Sequence, residues 1–511
     1  MPLAAKLISD LQQMRHPKIR GFVASFVKAV CIIMGFALNT FAAENPPEFL
    51  WASVAGGNKE CLDMTSDRGG NIYITGTLGF KQHQSLGGHG WSRSSGEVFL
   101  AKFSPAGKPL WLQKAGGTGT DAGVAVTVDE TGDVFITGYF AASVAFDKIK
   151  LKAAENKDTR QFSPSDMFIA KYNSEGKLLW AKQAGGPALD QSYGIASDKS
   201  GNVYVTGYFQ GRATFGSATL ESKSHPDGYH EPDPDYGDVF VAKYDASGNV
   251  VWVRQAGEGR KNVGYSIAVD GAGKVFITGQ FASTQRTNTI RFGDIIVKSS
   301  NLSAFIAKYD SDGKALWAQP TAGGQYYHHN QIAVDNMGHA FVAGSFNFND
   351  EFSDLAHINK SGRNSDLFLV KYDTDGKILW CKQAGGQHME FSSLKVDADG
   401  NASFTGVFDE AATFDQIQIQ AKPHDPQISG YESFLARYTG AGDATWVKTI
   451  DRNVTLRGLA FDKNGAACIA GSFSVSITLD HIKLEPPRET LKQQLLDEPV
   501  AEMFVAKLQN K

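Results

Sequence analysis

Seven tryptophans stand at near-regular intervals along the chain: Trp51, Trp111, Trp180, Trp252, Trp317, Trp380 and Trp446, spaced 60 to 72 residues apart. The same text recurs between them. "VFLAKFS", "MFIAKYN", "VFVAKYD", "AFIAKYD", "LFLVKYD" and "SFLARYT" each run through a turn into a segment that opens on tryptophan, as in "KYDTDGKILWCKQAGG". The seventh stretch of this kind, "MFVAKLQNK", has no tryptophan segment after it, whereas "LWASVAGG" at Trp51 is a tryptophan segment with no such stretch before it. Self-similarity at this period constrains the fold more than length does. Without repeats, 511 residues would suggest two to four domains; with them, one array is expected.

Each copy holds four runs with the alternation of strands. In copy 3 they are the runs "GIASD", "NVYVTGYF", "DVFVAKYD" and "VVWVRQAG". The first two are joined by Asp-x-x-Gly in every copy, from "DRGG" and "DETG" to "DADG" and "DKNG"; the last two are joined by "SPAG", "NSEG", "DASG", "DSDG", "DTDG" or "TGAG". A short polar residue first and glycine fourth suits a type I turn. The side chain caps the turn, and glycine takes the positive φ at which the hairpin resumes.

Four antiparallel strands written seven times predict an all-β chain, a single seven-bladed β-propeller of four-stranded blades. The small residues of the first run suit the crowded axis, and Pro109 suits an outer edge strand, where no ladder bond is lost. The strand around Trp51 then completes the last blade, closing the ring and covering a sheet edge.

The consensus behind these copies, "AVDxxGNVYVTGxF…DxFVAKYDxxGxxLWxKQAGG", resembles the bacterial SBBP family of β-propeller repeats, and the resemblance runs over residues 50–511. It is also similar to NHL repeats in its first half, but those lack the "WxKQAGG" ending. Copy 1 departs in lacking the "ATFG…L" stretch seen around Phe146, Phe215, Phe292 and Phe414, and copy 7 has "TIDRN" where others have "AGG". The resemblance implies architecture and export, and no reaction.

Residues 1–42 read as a secretory signal peptide: five basic residues, the apolar run "AVCIIMGFAL", then small residues placed for cleavage near Ala42 or Ala43. An apolar run of about ten residues is too short to cross a bilayer as a helix; an uncleaved anchor is the alternative. The propeller is expected over 43–511, secreted, periplasmic or on the cell surface, as a monomer with no stable membrane span. That region carries 45 basic against 53 acidic residues, without a basic cluster, which excludes nucleic acid as a partner. Cys61, Cys381 and Cys468 are too far apart for a disulfide framework or zinc spacing and read as buried thiols.

Tight turns at one end leave the links after "AGG" and the insertions before "FVAKY" at the other. Function on a rigid scaffold collects on such loops, and all histidines of the mature chain but His339 fall there. Long loops gather polar residues in any case. The candidates for ligand binding are "GGQYYHHNQ" (Tyr326, Tyr327, His328, His329), "GGQHMEF" (His388, Glu390) and the acidic insertion "SHPDGYHEPDPDYGD" (His225, His230, Asp233, Asp235). His328, His329 and His388 could meet a transition metal, or the tyrosines a sugar. No metal or other cofactor is expected overall, and the "DSDG" turns lack the carboxylate ladder of a calcium loop. "PPRETLKQQLLDEP" reads as a short helical lid over the last blade.

No catalytic motif is present, so the expected role is a non-catalytic scaffold presenting its loop-rich face to a protein or glycan. The alternative is a propeller hydrolase, lyase or lactonase with its site on that face. Two carboxylates about 5–10 Å apart in a deep pocket on that face would favour a glycosidase.

Overall fold

Every copy of the repeat becomes an antiparallel meander, because its turns are short and its strands pair in the order they are written. The computed structural model describes residues 44–56, 59–79, 96–155, 164–222, 237–257, 261–282, 288–299, 303–322, 330–346, 365–422, 431–486 and 501–509. These are strands and turns, with no helix among the described residues. In copy 2, Asp121–Val128 pairs with Val134–Ala141, which pairs with Ser165–Tyr172, which pairs with Leu178–Ala184. Copies 1, 3 and 4 pair alike. Copies 5 and 6 share one 19-residue strand, Ile378–Val396, which is the last strand of one and the first of the next.

Copy 7 supplies Val454–Phe461, Ala467–Phe473 and Glu502–Leu508, and its fourth partner is Phe49–Val54. Ser53 stands opposite Val505, Ala55 N donates to Met503 O at 2.8 Å, and Gln509 N donates to Glu48 O at 2.8 Å. The first strands of successive copies touch one another in chain order, and Val454–Phe461 also touches Lys59–Ser66. Residues 45–511 form one compact unit.

The turns are built as their sequences require. Asp129 Oδ1 accepts from Thr131 N at 2.9 Å and Asp133 N at 3.0 Å, and Gly132 closes the turn at φ 87°. In the neighbouring turn at the same end, between the third and fourth strands, a glycine lies under the tryptophan of the preceding copy: a methyl group at Gly176 would stand 2.8 Å from the Trp111 ring. Trp111 Nε1 donates across to Ser174 O at 3.2 Å, and Trp180, Trp252, Trp317 and Trp380 reach the next copy in the same way. Trp51 repeats the packing against copy 1, since a methyl at Gly107 would stand 2.5 Å from its ring. The "AKY" lysines complete the row, with Lys171 Nζ 4.9 Å above the Phe135 ring and 2.9 Å from Asp133.

The recurring "TG" of the second strand has a steric cause. The first strand carries one residue more than its partner at this level, a β-bulge that presses its backbone sideways. In copy 4 the shift falls between Gly264 and Ser266, so the register passes over Tyr265. A methyl group at Gly279 would lie 2.0 Å from Val263 O, so only glycine fits. The neighbouring Thr278 turns its hydroxyl to Phe305 O at 2.7 Å.

The "ATFG…L" stretches, taken from sequence as parts of long insertions, are β-hairpins. Ser143–Phe146 with Ile149–Lys152 lies along the fourth strand of copy 1, pairing Phe146 with Ala115. Phe292 pairs with Ala256 and Phe414 with Ala384 in the same manner. Alternation alone could not reveal this, because the partner strand belongs to another copy. The "AGG" text is its receptor: a methyl at Gly117 would meet Ser143 O at 1.5 Å. These hairpins cover edge strands that would otherwise be open. Cys61 and Cys468 are buried, Cys381 is half-buried, and all three are free thiols. The lid segment "PPRETLKQQLLDEP" lies outside the described residues.

Candidate functional site

The first strands begin at the end away from the Asp-x-x-Gly turns and carry the site's polar groups there. His388 and Glu390 enter from copy 6. His388 is exposed, held at φ 48°, and its ring stacks on Tyr431 with centroids 5.9 Å apart. Glu390 is half-buried; burial pushes its carboxyl up, with Arg457 and His388 pulling the other way. Glu60, from copy 1, is pushed up by burial and opposed by the same Arg457. One guanidinium thus bears electrostatically, without a direct bond, on two carboxylates from different copies.

Tyrosines fill the sector of copies 3 and 4. Tyr193 and Tyr208 stack at 6.0 Å and 15°, and Tyr265 approaches Tyr193 at 6.0 Å and 54°. Tyr193 Oη donates to Gln191 Oε1 at 2.7 Å, and Tyr265 Oη to Gln280 Oε1 at 2.9 Å. Burial pushes Tyr139 up to about 12, with Glu60 and Asp121 adding to it.

Of the residues picked from sequence, His388 and Glu390 come together. Tyr326, Tyr327, His328, His329, His225, His230, Asp233 and Asp235 lie outside the described residues. Among the described residues no group of three or more His, Cys, Asp or Glu side chains is placed to hold a metal ion. The "DSDG" turn carboxylates are occupied by backbone, Asp310 Oδ1 accepting from Asp312 N and Lys314 N at 3.0 and 2.8 Å. Sequence reasoning missed Glu60, Arg457, Tyr193 and Tyr265. Their signal was available: Leu62, Val124, Tyr193, Tyr265 and Arg457 each precede the turn aspartate by the same interval, and their side chains differ in kind.

A carboxylate pair does occur, between copies 2 and 3. Asp166 and Asp190 flank Gly185, where a methyl would be 2.6 Å from one carboxylate and 3.0 Å from the other. Both are closed to solvent, at 1% and 0% exposure, so no substrate reaches them. Burial pushes Asp166 up to about 7, and Asp190 well above the usual carboxylate range, with Asp166 adding to it. The folded chain therefore keeps protons that an unfolded chain releases near about pH 4. With the folded pKa raised, this contribution to stability is complete below the unfolded pKa and is lost as pH rises through about 7. Gln183 Nε2 and Ala154 N both donate to Asp166 Oδ2, at 2.9 and 3.3 Å, so an asparagine oxygen can replace it. Asp166→Asn is expected to raise stability at pH 8 by about 1 kcal/mol or more and to flatten its decline from pH 5 to 8. Urea midpoints across that range check this; parallel wild-type and variant curves would contradict it.

Comparison with known proteins adds the following. An uncharacterized WD repeat-containing protein, L264, of Acanthamoeba polyphaga mimivirus is 24% identical over 447 residues, covering 74% of this chain and 31% of its own length. Regulatory protein FlaEY of Caulobacter vibrioides is 25% identical over 158 residues, 31% of this chain and 15% of its own. The chain thus spans less than a third of either curated relative. Virginiamycin B lyase from Staphylococcus aureus aligns over 89% of this chain and 98% of that one, at 9% identity and a TM-score of 0.41. One stretch matches a family directly, and it includes the "TG" of the second strand of copy 3: residues 179–208 match the SBBP β-propeller repeat.

Proposed function

We propose that the chain is an exported, non-catalytic recognition scaffold: a ring of seven four-stranded blades over residues 43–511, closed by Phe49–Val54 on the last blade. Residues 1–42 direct its export to the periplasm, the cell surface or the medium. The ring reading rests on the cyclic contacts of the first strands and on Trp51 packing upon Gly107.

One observation carries the functional reading. The two ends of the sheets are built on different plans. At one end the turns are nearly identical, and their carboxylates are occupied by turn amides. At the other, links of different length and composition lead into first strands that carry Glu60, Glu390 and Arg457 in one sector and Tyr193 with Tyr265 in another. A fixed frame with a varied rim is the arrangement of a binding surface.

The partner is a protein or glycan met by this face. A pull-down from envelope extract and a glycan array, run with the full chain and with residues 224–238 replaced by a short turn, test it. Saturable capture that weakens about tenfold or more on replacement supports the reading. Capture indifferent to this replacement and to substitutions at Arg457 and Tyr265 contradicts it.

A further inference from the structure

In each bulged first strand the register passes over one extra residue. These residues are Leu62, Val124, Tyr193, Tyr265, Ser392 and Arg457. Backbone geometry fixes the bulge, through the glycine opposite that lets the first strand press inward. The side chain at the extra position is therefore free to differ while the frame stays the same. A bulge re-aims its side chain, and all of these residues but Val124 remain partly exposed. They make one rung with a constant scaffold and variable chemistry.

The members of the rung divide by chemistry and by side. Counting strands that touch, Arg457 is three from Tyr193 in one direction and three from Tyr265 in the other. In the closed ring proposed above, the guanidinium and the tyrosines thus stand on opposite sides of the axis. The tyrosine hydroxyls are tied to Gln191 and Gln280, which fixes the rings. Arg457 lies near Glu60 and Glu390, but none of these three side chains makes a hydrogen bond or ion pair with another described residue. Arg457 Nε is buried without an acceptor among the described residues. Lys395 Nζ, three residues past the bulge of copy 6, stands 3.7 Å from Asp63 Oδ1, one residue past the bulge of copy 1.

Two carboxylates beside the guanidinium disfavour an anionic ligand, and the guanidinium disfavours a cation. A neutral, hydroxyl-rich ring suits both. Its C–H face packs on a tyrosine, while planar guanidinium and carboxylate groups each reach two adjacent hydroxyls. We propose that this rung is a carbohydrate subsite taking one neutral hexose unit, held between Tyr193 with Tyr265 and Arg457 with Glu60 and Glu390. It rests on the recognition reading and names its ligand class.

Calorimetric titration of the full chain with the methyl glycosides of glucose, galactose, mannose and N-acetylglucosamine tests it. At least one should bind saturably in the millimolar range. Arg457→Gln and Tyr265→Leu should each weaken that binding about tenfold or more, and Tyr265→Phe by no more than about threefold. Arg254→Gln should leave it unchanged, because Arg254 bonds the Gly313 carbonyl at the turn end. Thermal melts identify any variant that is misfolded, and Tyr265→Phe preserves the packing. Binding of none of the four below about 50 mM, or binding indifferent to both Arg457→Gln and Tyr265→Leu, overturns the subsite. If array or pull-down capture still depends on residues 224–238 in that case, the recognition reading survives and only the rung fails.

Discussion

A chain shortened to begin at Lys59 loses several kcal/mol of stability and self-associates. Phe49 is buried among Leu508, Leu479 and Phe504, and a buried Phe is worth about 3 kcal/mol or more by itself. Its strand also covers the ladder groups of Glu502–Leu508, from Phe49 opposite Leu508 to Val54 opposite Phe504. Without it those groups face water as an open template for a second chain. Urea unfolding and light scattering on the shortened chain give the answer. An unchanged midpoint in a monomeric sample would mean that the strand is ornamental, and the ring reading would fall with it.

Gly279→Ala comes next in size, at about 3 kcal/mol or more of lost stability. The new methyl would sit 2.0 Å from Val263 O and 2.8 Å from the Phe305 ring. Backbone on one side and a fully buried Phe on the other leave little room to relax. Gly271→Ala is the matched control, because only the end of the Lys199 side chain comes within 3.7 Å there. The control should move the unfolding midpoint hardly at all. Equal effects at the two positions would show that chain entropy, and no steric conflict, governs these glycines.

Local signals in the sequence carried well into the structure. "DETG" states its turn, because the turn-closing oxygen of Asp129, Oδ1, takes its donors from residues no more than four ahead. The tryptophan segments state their strand, and the missing seventh one indicated that Trp51 would meet the end of the chain, where it now stands opposite Lys507. Readings that needed a partner from another copy were less legible. Phe146 reads as part of an insertion until Ala115 of the preceding copy is placed beside it. Arg457 reads as a surface charge until Glu60 and Glu390 are brought to it from two other copies. The buried state of Asp166 was equally hidden, because "SPSDMF" differs little from other strand entries and only packing reveals its isolation from water.

The pairing of Phe49–Val54 with Glu502–Leu508 has a mechanical consequence. Glu48 and Gln509 face each other at the same end of an antiparallel pair. Tension applied to the two termini therefore loads the ladder bonds one after another, peeling the strands apart instead of shearing them together. A molecule tethered at one end and pulled at the other would yield first at this seam, at low force, while the remaining sheets stay intact.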